Sequence, residues 1–155
     1  MKPPVTLVDL RPLLDPARIC FFPDPVDKRS ALTQLAHVTA AAPAIGDEAA
    51  FTRAIFEREE VSPTAIGGGV AVPHAKLPSI TGFVVSIGIA QHGIDYGLGE
   101  ADTVNELIMI GANDRERKEY LRILAAVAAL MKRSSIRDGL RQARSADEVI
   151  TIVCC

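Results

Sequence analysis

Residues 64–79 read "TAIGGGVAVPHAKLPS", from Thr64 to Ser79. Three consecutive glycines run into a short apolar alternation that ends on Pro73 and His74. Val70, Ala71 and Val72 predict a short strand. Pro73 fixes its own φ and has no N–H for a ladder, so the strand is expected to end there. His74 would then project from a rigid stem. Gly67, Gly68 and Gly69 permit positive φ and let backbone N–H groups crowd together, the makings of an anion-binding nest. The run is not a P-loop, because no Gly-Lys-Ser/Thr follows. It is not a dinucleotide fingerprint either: "GGGVAV" lacks the GxGxxG spacing and leads to proline rather than a helix.

Outward from this stretch, strands and helices interleave. "ARICFF" (17–22) predicts a strand closed by the "PDP" that follows. The spacing of Leu32, Leu35, Ala36 and Thr39 predicts a helix over 27–42, stopped by Pro43 and Gly46. Asp47 is placed to cap a second helix through about Glu60, with Phe51, Ala54 and Ile55 on one face. "FVVSIGIA" (83–90) and "TVNELIMIGA" (103–112) predict strands, the second apolar enough at its centre to be internal. "HGIDYGLGE" (92–100) is expected to be a loop. A long helix is predicted over 115–133, with Leu121, Leu124, Ala128 and Met131 as its apolar stripe. A shorter helix capped by Ser134 and Ser135 runs to about Arg144. "ADEVITIV" after Ser145 fits helix or strand. The reading is an α/β fold in one domain spanning 1–155. It has a central mixed sheet of about five strands with helices on both faces.

The chain has 155 residues, 48% of them hydrophobic and 23% charged, with Phe 5, Tyr 2 and Trp 0. Its core is therefore built from aliphatic residues. A net charge of −2 argues against a dominant nucleic-acid-binding role, which needs a basic excess. No apolar run approaches the ~18 residues of a membrane span. The N-terminus carries prolines and charges where a leader would be apolar, so a cytoplasmic location is expected. Cys20, Cys154 and Cys155 have no CxxC spacing and are read as free thiols, the terminal pair also being able to oxidise or take a metal.

No histidine or cysteine stands at metal-ligand spacing from His74, so no metal is expected there. Two readings stand side by side: a turn histidine beside a tight bend, or an imidazole nucleophile able to carry a phosphoryl group as a phosphoramidate. Arg58 adds to the second. It falls seven residues after Phe51 and three after Ile55, on the apolar face of its helix, and near the end that feeds the glycine loop. A guanidinium there can fork onto phosphate oxygens. The alternative is an arginine that snorkels and favours the helix C-terminus. His37 is read as structural and His92 as a loop residue.

The stretch resembles the signature of enzyme IIA domains of the fructose, mannitol and nitrogen-regulatory type in the bacterial phosphotransferase system. Glu59 opens the pattern; Ile66-Gly67 follows after six residues, then Val70-Ala71-Val72-Pro73-His74-Ala75 after two more. The resemblance is strongest over 50–76. It implies that His74 accepts a phosphoryl group from HPr or an HPr-like phosphocarrier. His74 would pass the group to a IIB-type partner, or hold it as a regulatory signal toward a transporter or kinase. Arg58 matches the family's arginine upstream of the histidine. No cofactor, nucleotide or metal is implied. Gly67, Gly68 and Gly69 are assigned as the phosphate cradle, although only Gly67 occupies a signature position. Members of the family commonly carry a second histidine early in the long helix; here Tyr120 stands in that place. Its hydroxyl can bond a phosphate oxygen, but it cannot act as a cation. Tyr120 also stands four before Leu124 and would equally extend the core stripe. A homodimer is compatible with the sequence, which does not read the oligomeric state.

Overall fold

The computed structural model describes residues 9–98 and 103–154. The extreme N-terminus, the end of the stretch 92–100 and Cys155 lie outside the described residues. Six strands form one mixed sheet: β1 (Ile19–Phe22), β2 (Ala65–Gly67), β3 (Val70–Ala71), β4 (His74–Leu77), β5 (Phe83–Asp95) and β6 (Thr103–Asn113). The order is β1-β5-β6-β3-β2, with β4 also paired to β6. β5 and β6 are antiparallel, β1 is parallel to β5, and β3 and β4 are parallel to β6. The helices are α1 (Lys28–Ala40), α2 (Glu48–Val61), α3 (Arg117–Met131), α4 (Ser134–Gln142) and α5 (Ala146–Cys154).

Strand alternation divides the apolar residues between two layers. Leu107 and Met109 of β6 pack with Leu32, Leu35, Phe51 and Ile55 beneath α1 and α2. Ile108 and Ile110 pack with Ile123, Val127, Leu140 and Val149 beneath α3, α4 and α5. Helices therefore cover both faces of the mixed sheet. The first two helices start on side-chain caps: Asp27 accepts from Ser30 N–H at 2.7 Å, and Asp47 from Ala50 N–H at 3.1 Å. The ambiguous C-terminal segment is helix, and Ser145 Oγ accepts from Glu148 N–H at its start.

The described residues form a mixed sheet of six strands, in keeping with the expected mixed sheet of about five. Three finer expectations are corrected. β5 continues through Asp95, past an irregularity between Ile89 and Ile94, so residues 92–95 are strand rather than loop. The apolar stripe of α3 is turned by one position: Tyr120, Ile123, Val127 and Met131 are buried, while Leu121 is 50% exposed. From Ile123 onward this helix is apolar all round, so two stripes at the same spacing compete, and the ring of Tyr120 takes the inner one. Finally, β3 ends at Ala71, before Pro73 as expected, but pairing to β6 resumes at His74. Val70 faces Glu106, Ala71 faces Leu107 and His74 faces Ile110 in one unbroken register along β6. Pro73 lacks a donor, but its carbonyl still accepts from Ile110 N–H at 3.0 Å. β4 lies beyond β3 against β6 alone, the edge setting in which proline is tolerated.

Candidate functional site

His74 is the first residue of β4, and its half-buried side chain lies on the α3 side of the sheet. Each ring nitrogen has a distinct partner. Nδ1 lies 2.8 Å from the carbonyl oxygen of Val72, which can only accept, so Nδ1 carries the proton. Nε2 therefore presents its lone pair, which accepts from Arg58 Nε–H at 3.2 Å. Arg58 is itself held by a 3.0 Å bond from Nη1 to the carbonyl of Ser62, just past the end of α2. Burial above all pulls the His74 pKa below its ordinary value, and the charges of Arg58 and Lys76 add to that; the Val72 bond and Glu59 oppose it. The result at neutral pH is a neutral, oriented imidazole whose nucleophilic lone pair on Nε2 is engaged by the Arg58 N–H alone among the described residues.

Around it lies an open cleft of about 260 Å³, walled by Arg58, Ile66, Val72, Leu124 and Ala128. Tyr120 stands beside the imidazole with ring centroids 5.9 Å apart and planes tilted by 57°. Burial pushes its hydroxyl pKa up to about 12, against a smaller opposing effect of Arg58. It is both a core residue and the neighbour of His74, so the two readings of this position do not exclude each other. Arg58, His74 and Tyr120 are thus brought together from α2, β4 and α3.

The glycines are not brought to His74, and the phosphate-cradle expectation is corrected. Gly67, Gly68 and Gly69 take φ of 94°, 66° and 84° and turn the chain between β2 and β3. Their carbonyls face other partners: Gly68 O accepts from Arg141 Nη2 at 3.1 Å, and Gly69 O from Asn105 N–H at 2.7 Å. They line a separate cavity of about 450 Å³ with Asn105 and Arg141. The cause is strand geometry: at about 3.3 Å per residue, the five-residue step from Gly69 to His74 carries them roughly 16 Å apart.

A buried polar network lies behind His74, centred on Glu59. Phe51, Ile55 and Glu59 form the inner stripe of α2, with Arg58 half-buried at its shoulder. Glu59 Oε1 accepts from Thr64 N–H at 3.0 Å and pairs with Lys28 Nζ at 3.1 Å. Its Oε2 accepts from Thr64 Oγ1 at 2.7 Å, and the Tyr96 hydroxyl lies 3.2 Å from the same Oγ1. Thr64 O in turn accepts from Val72 N–H at 3.0 Å. The bonds lead from Glu59 through Thr64 and Val72 to Nδ1 of His74. The signal was the i, i+4, i+8 placement of Glu59 after Phe51 and Ile55, which puts a carboxylate where only a paired one is tolerated.

The other histidines lie apart. His37 Nδ1 meets the Glu48 carboxylate at 3.0 Å on the exposed rim of a wide groove between α1 and α2. His92 is exposed on β5. Cys20 is half-buried, and burial raises its thiol pKa, which leaves it a poor nucleophile. Among the described residues no helix is long and apolar enough to cross a membrane.

Residues 13–154 match the family described as "Phosphoenolpyruvate-dependent sugar phosphotransferase system, EIIA 2". The chain is 31% identical over 127 residues to the PTS system fructose-specific EIIABC component of Bacillus subtilis (strain 168), covering 82% of this chain and 20% of that protein. It therefore spans about a fifth of the length of that relative. It is 28% identical to the Nitrogen regulatory protein of Bradyrhizobium diazoefficiens over 81% of this chain and 82% of that one. Nitrogen Regulatory Protein IIA-Ntr from Neisseria meningitidis superposes with a TM-score of 0.84 at 19% identity, covering 93% of this chain and 98% of that one. Enzyme IIA mannitol from Escherichia coli, solved in complex with phosphorylated enzyme IIB mannitol, superposes at 0.76 with 21% identity over 90% of this chain and 96% of that one. At these identities the structures share the fold.

Proposed function

Because the chain belongs to the EIIA 2 family of the phosphoenolpyruvate-dependent sugar phosphotransferase system, we propose that it is a phosphoryl carrier whose acceptor atom is His74 Nε2. The observation that carries this is the orientation of the imidazole: Nδ1–H is tied to Val72 O at 2.8 Å, while Nε2 faces the cleft beside Arg58. The Nε2 lone pair attacks phosphorus, the P–N bond of a donor phosphohistidine breaks, and the donor imidazole leaves with the electron pair. The proton on Nδ1 stays in place. Arg58 gives up its bond to Nε2 as phosphorus arrives and turns its fork to the phosphoryl oxygens, where charge lies in a loose transition state. Catalysis is positioning and electrostatics, which a neutral nucleophile beside a fixed cation supplies.

The donor is an HPr-like carrier and the recipient a IIB-type protein; the complex of the mannitol IIA with a phosphorylated IIB supports the second. A regulatory role, with the phosphorylation state read by a target protein, is favoured by the nitrogen regulatory relatives, which are matched over 82% and 96% of their length. Phosphoenolpyruvate, enzyme I and an HPr-type carrier should add one phosphoryl group by intact mass, labile to acid and absent from His74→Ala. Undiminished labelling of His74→Ala would overturn the assignment.

A further inference from the structure

His74 and Lys76 are two residues apart on β4, so their side chains leave the same face of the sheet. The same ring of Tyr120 receives both. The imidazole centroid lies 5.9 Å from the Tyr120 centroid, and Lys76 Nζ lies 4.9 Å from it. Lys76 is exposed, and among the described residues it has no salt bridge. Its only charge-directed contact among them is with the π-face of Tyr120, which attracts a cation weakly at an exposed site. Arg58 reaches Nε2 from α2, whereas Lys76 stands along β4.

We propose that Lys76 is a second cation of the phosphoryl site, resting on the Tyr120 ring while His74 is free and moving onto the phosphoryl oxygens when His74 carries the group. The inference rests on the reading of His74 as acceptor. A phosphoryl group on Nε2 places a dianion beside a flexible ammonium whose present partner is an uncharged ring. A charge-assisted bond to phosphate oxygen outweighs that contact. Four methylene groups let the ammonium travel without moving the strand. The charge of Lys76 already reaches the imidazole, where it lowers proton affinity together with Arg58. Tyr120 is then a positioning residue, its ring keeping the ammonium near His74. The division of labour also gives a tyrosine at this place a cationic companion.

The test compares Lys76→Gln, Lys76→Arg and Tyr120→Leu with the unmodified protein, using two phosphoryl donors. One is an HPr-type phosphoprotein; the other is phosphoramidate, which is too small to need a docking surface. Lys76→Gln should accept the group about tenfold more slowly from both donors, as expected for a lost charge-assisted contact. The phosphorus-31 titration of its phosphohistidine should move to higher pH, because the dianion has lost a partner. Lys76→Arg should restore both readouts. Tyr120→Leu, once shown to be folded, should reproduce the slower acceptance. Slowing of Lys76→Gln with the phosphoprotein alone would make Lys76 a docking residue and overturn the proposal, as would an unchanged phosphorus titration. If the unmodified protein takes no group from either donor, the acceptor reading of His74 falls first. Labelling of the unmodified protein with normal Lys76→Gln removes only the present inference.

Discussion

The carbonyl of Val72 holds Nδ1 of His74 at 2.8 Å, and the N–H of the same residue is anchored 3.0 Å from Thr64 O. One peptide segment thus sets the tautomer of the nucleophile, and the loop behind α2 fixes that segment. Removing the first bond's consequence is the most direct check on the site. His74 should titrate below its model-peptide value of about 6.5 in proton NMR, since burial foremost, then Arg58 and Lys76, disfavour its charged form. The unfolded chain therefore binds this proton first as pH falls. The contribution to stability is full above the unfolded value and is lost as pH drops from there toward the lower folded one. His74→Gln should lose that acid sensitivity, read as the difference in Tm between the two proteins across pH 5 to 7 (about the range in which histidine titrates). A His74 midpoint at or above the ordinary value would contradict the neutral nucleophile.

Arg58 should be separable from folding. Its side chain is half-buried at the shoulder of α2 rather than on the inner stripe. Arg58→Ala should retain Tm within a few degrees and accept the phosphoryl group about a hundredfold more slowly, the usual scale for losing one electrostatic donor. Single-turnover labelling followed by intact mass measures this. Equal rates would make Arg58 a packing and capping residue.

Glu59 should show the opposite profile, with stability and rate lost together. Its carboxylate is buried, bonded twice to Thr64 and paired with Lys28. Glu59→Ala takes the carboxylate from both Thr64 donors and leaves Lys28 with the Tyr96 carbonyl and ring, a loss of roughly 3 kcal/mol for breaking a buried pair. It also frees the segment that aims His74. Glu59→Gln, which keeps one good acceptor, should fall between. Urea unfolding and labelling rates on the same samples decide it: a stable Glu59→Ala would show the network to be dispensable.

Much of this arrangement was legible in the residues, and what was missed has common causes. Capping by Asp47, the buried β6 and the Gly-to-His stretch follow from local rules. The family pattern draws Tyr120 out of the helix, and it lies beside His74, yet the stripe drawn from Leu121 faces outward. A helix that is apolar all round from Ile123 onward does not reveal its inner side until the sheet beneath it is known. β4 is hidden behind Pro73: the missing N–H argues for a stop, yet the proline carbonyl still accepts from Ile110 and pairing to β6 resumes at His74. Nearness in sequence ties the glycines to His74. An extended strand converts that nearness into separation.

Glu106 carries a prediction independent of the phosphoryl site. It is wholly buried on β6; Oε1 accepts from Arg141 Nε at 3.0 Å, and Oε2 has no hydrogen-bond partner among the described residues. Burial raises its pKa to about 7, and Arg141 offsets only part of that. With the folded value above the unfolded one, the folded protein binds the extra proton. The favourable contribution is complete below the unfolded value and is lost as pH rises through about 7. Glu106→Gln keeps the shape and an acceptor without the charge. It should be neutral near pH 5 and stabilising near pH 8, on either side of the titration by about a unit or more. Thermal unfolding at both pH values measures it, and destabilisation at the higher pH would mean that the Arg141 pair outweighs desolvation.

The corrected place of the glycines gives a substitution with a divided outcome. Gly68 has φ of +66°, and a Cβ there would lie 3.0 Å from Cζ of Arg137. Gly68→Ala should cost about 1–2 kcal/mol, the scale of forcing an L-residue into the left-handed region, with a further share if the Arg137 side chain does not yield. The turn lies at the far end of β3 from His74, so the folded fraction should accept the phosphoryl group at the unmodified rate. Had these glycines cradled the phosphoryl group, an added methyl would have slowed transfer at least as much as it loosened the fold. Labelling rates normalised to the folded fraction from urea titration separate the two, and a tenfold slower folded fraction would return the turn to the site.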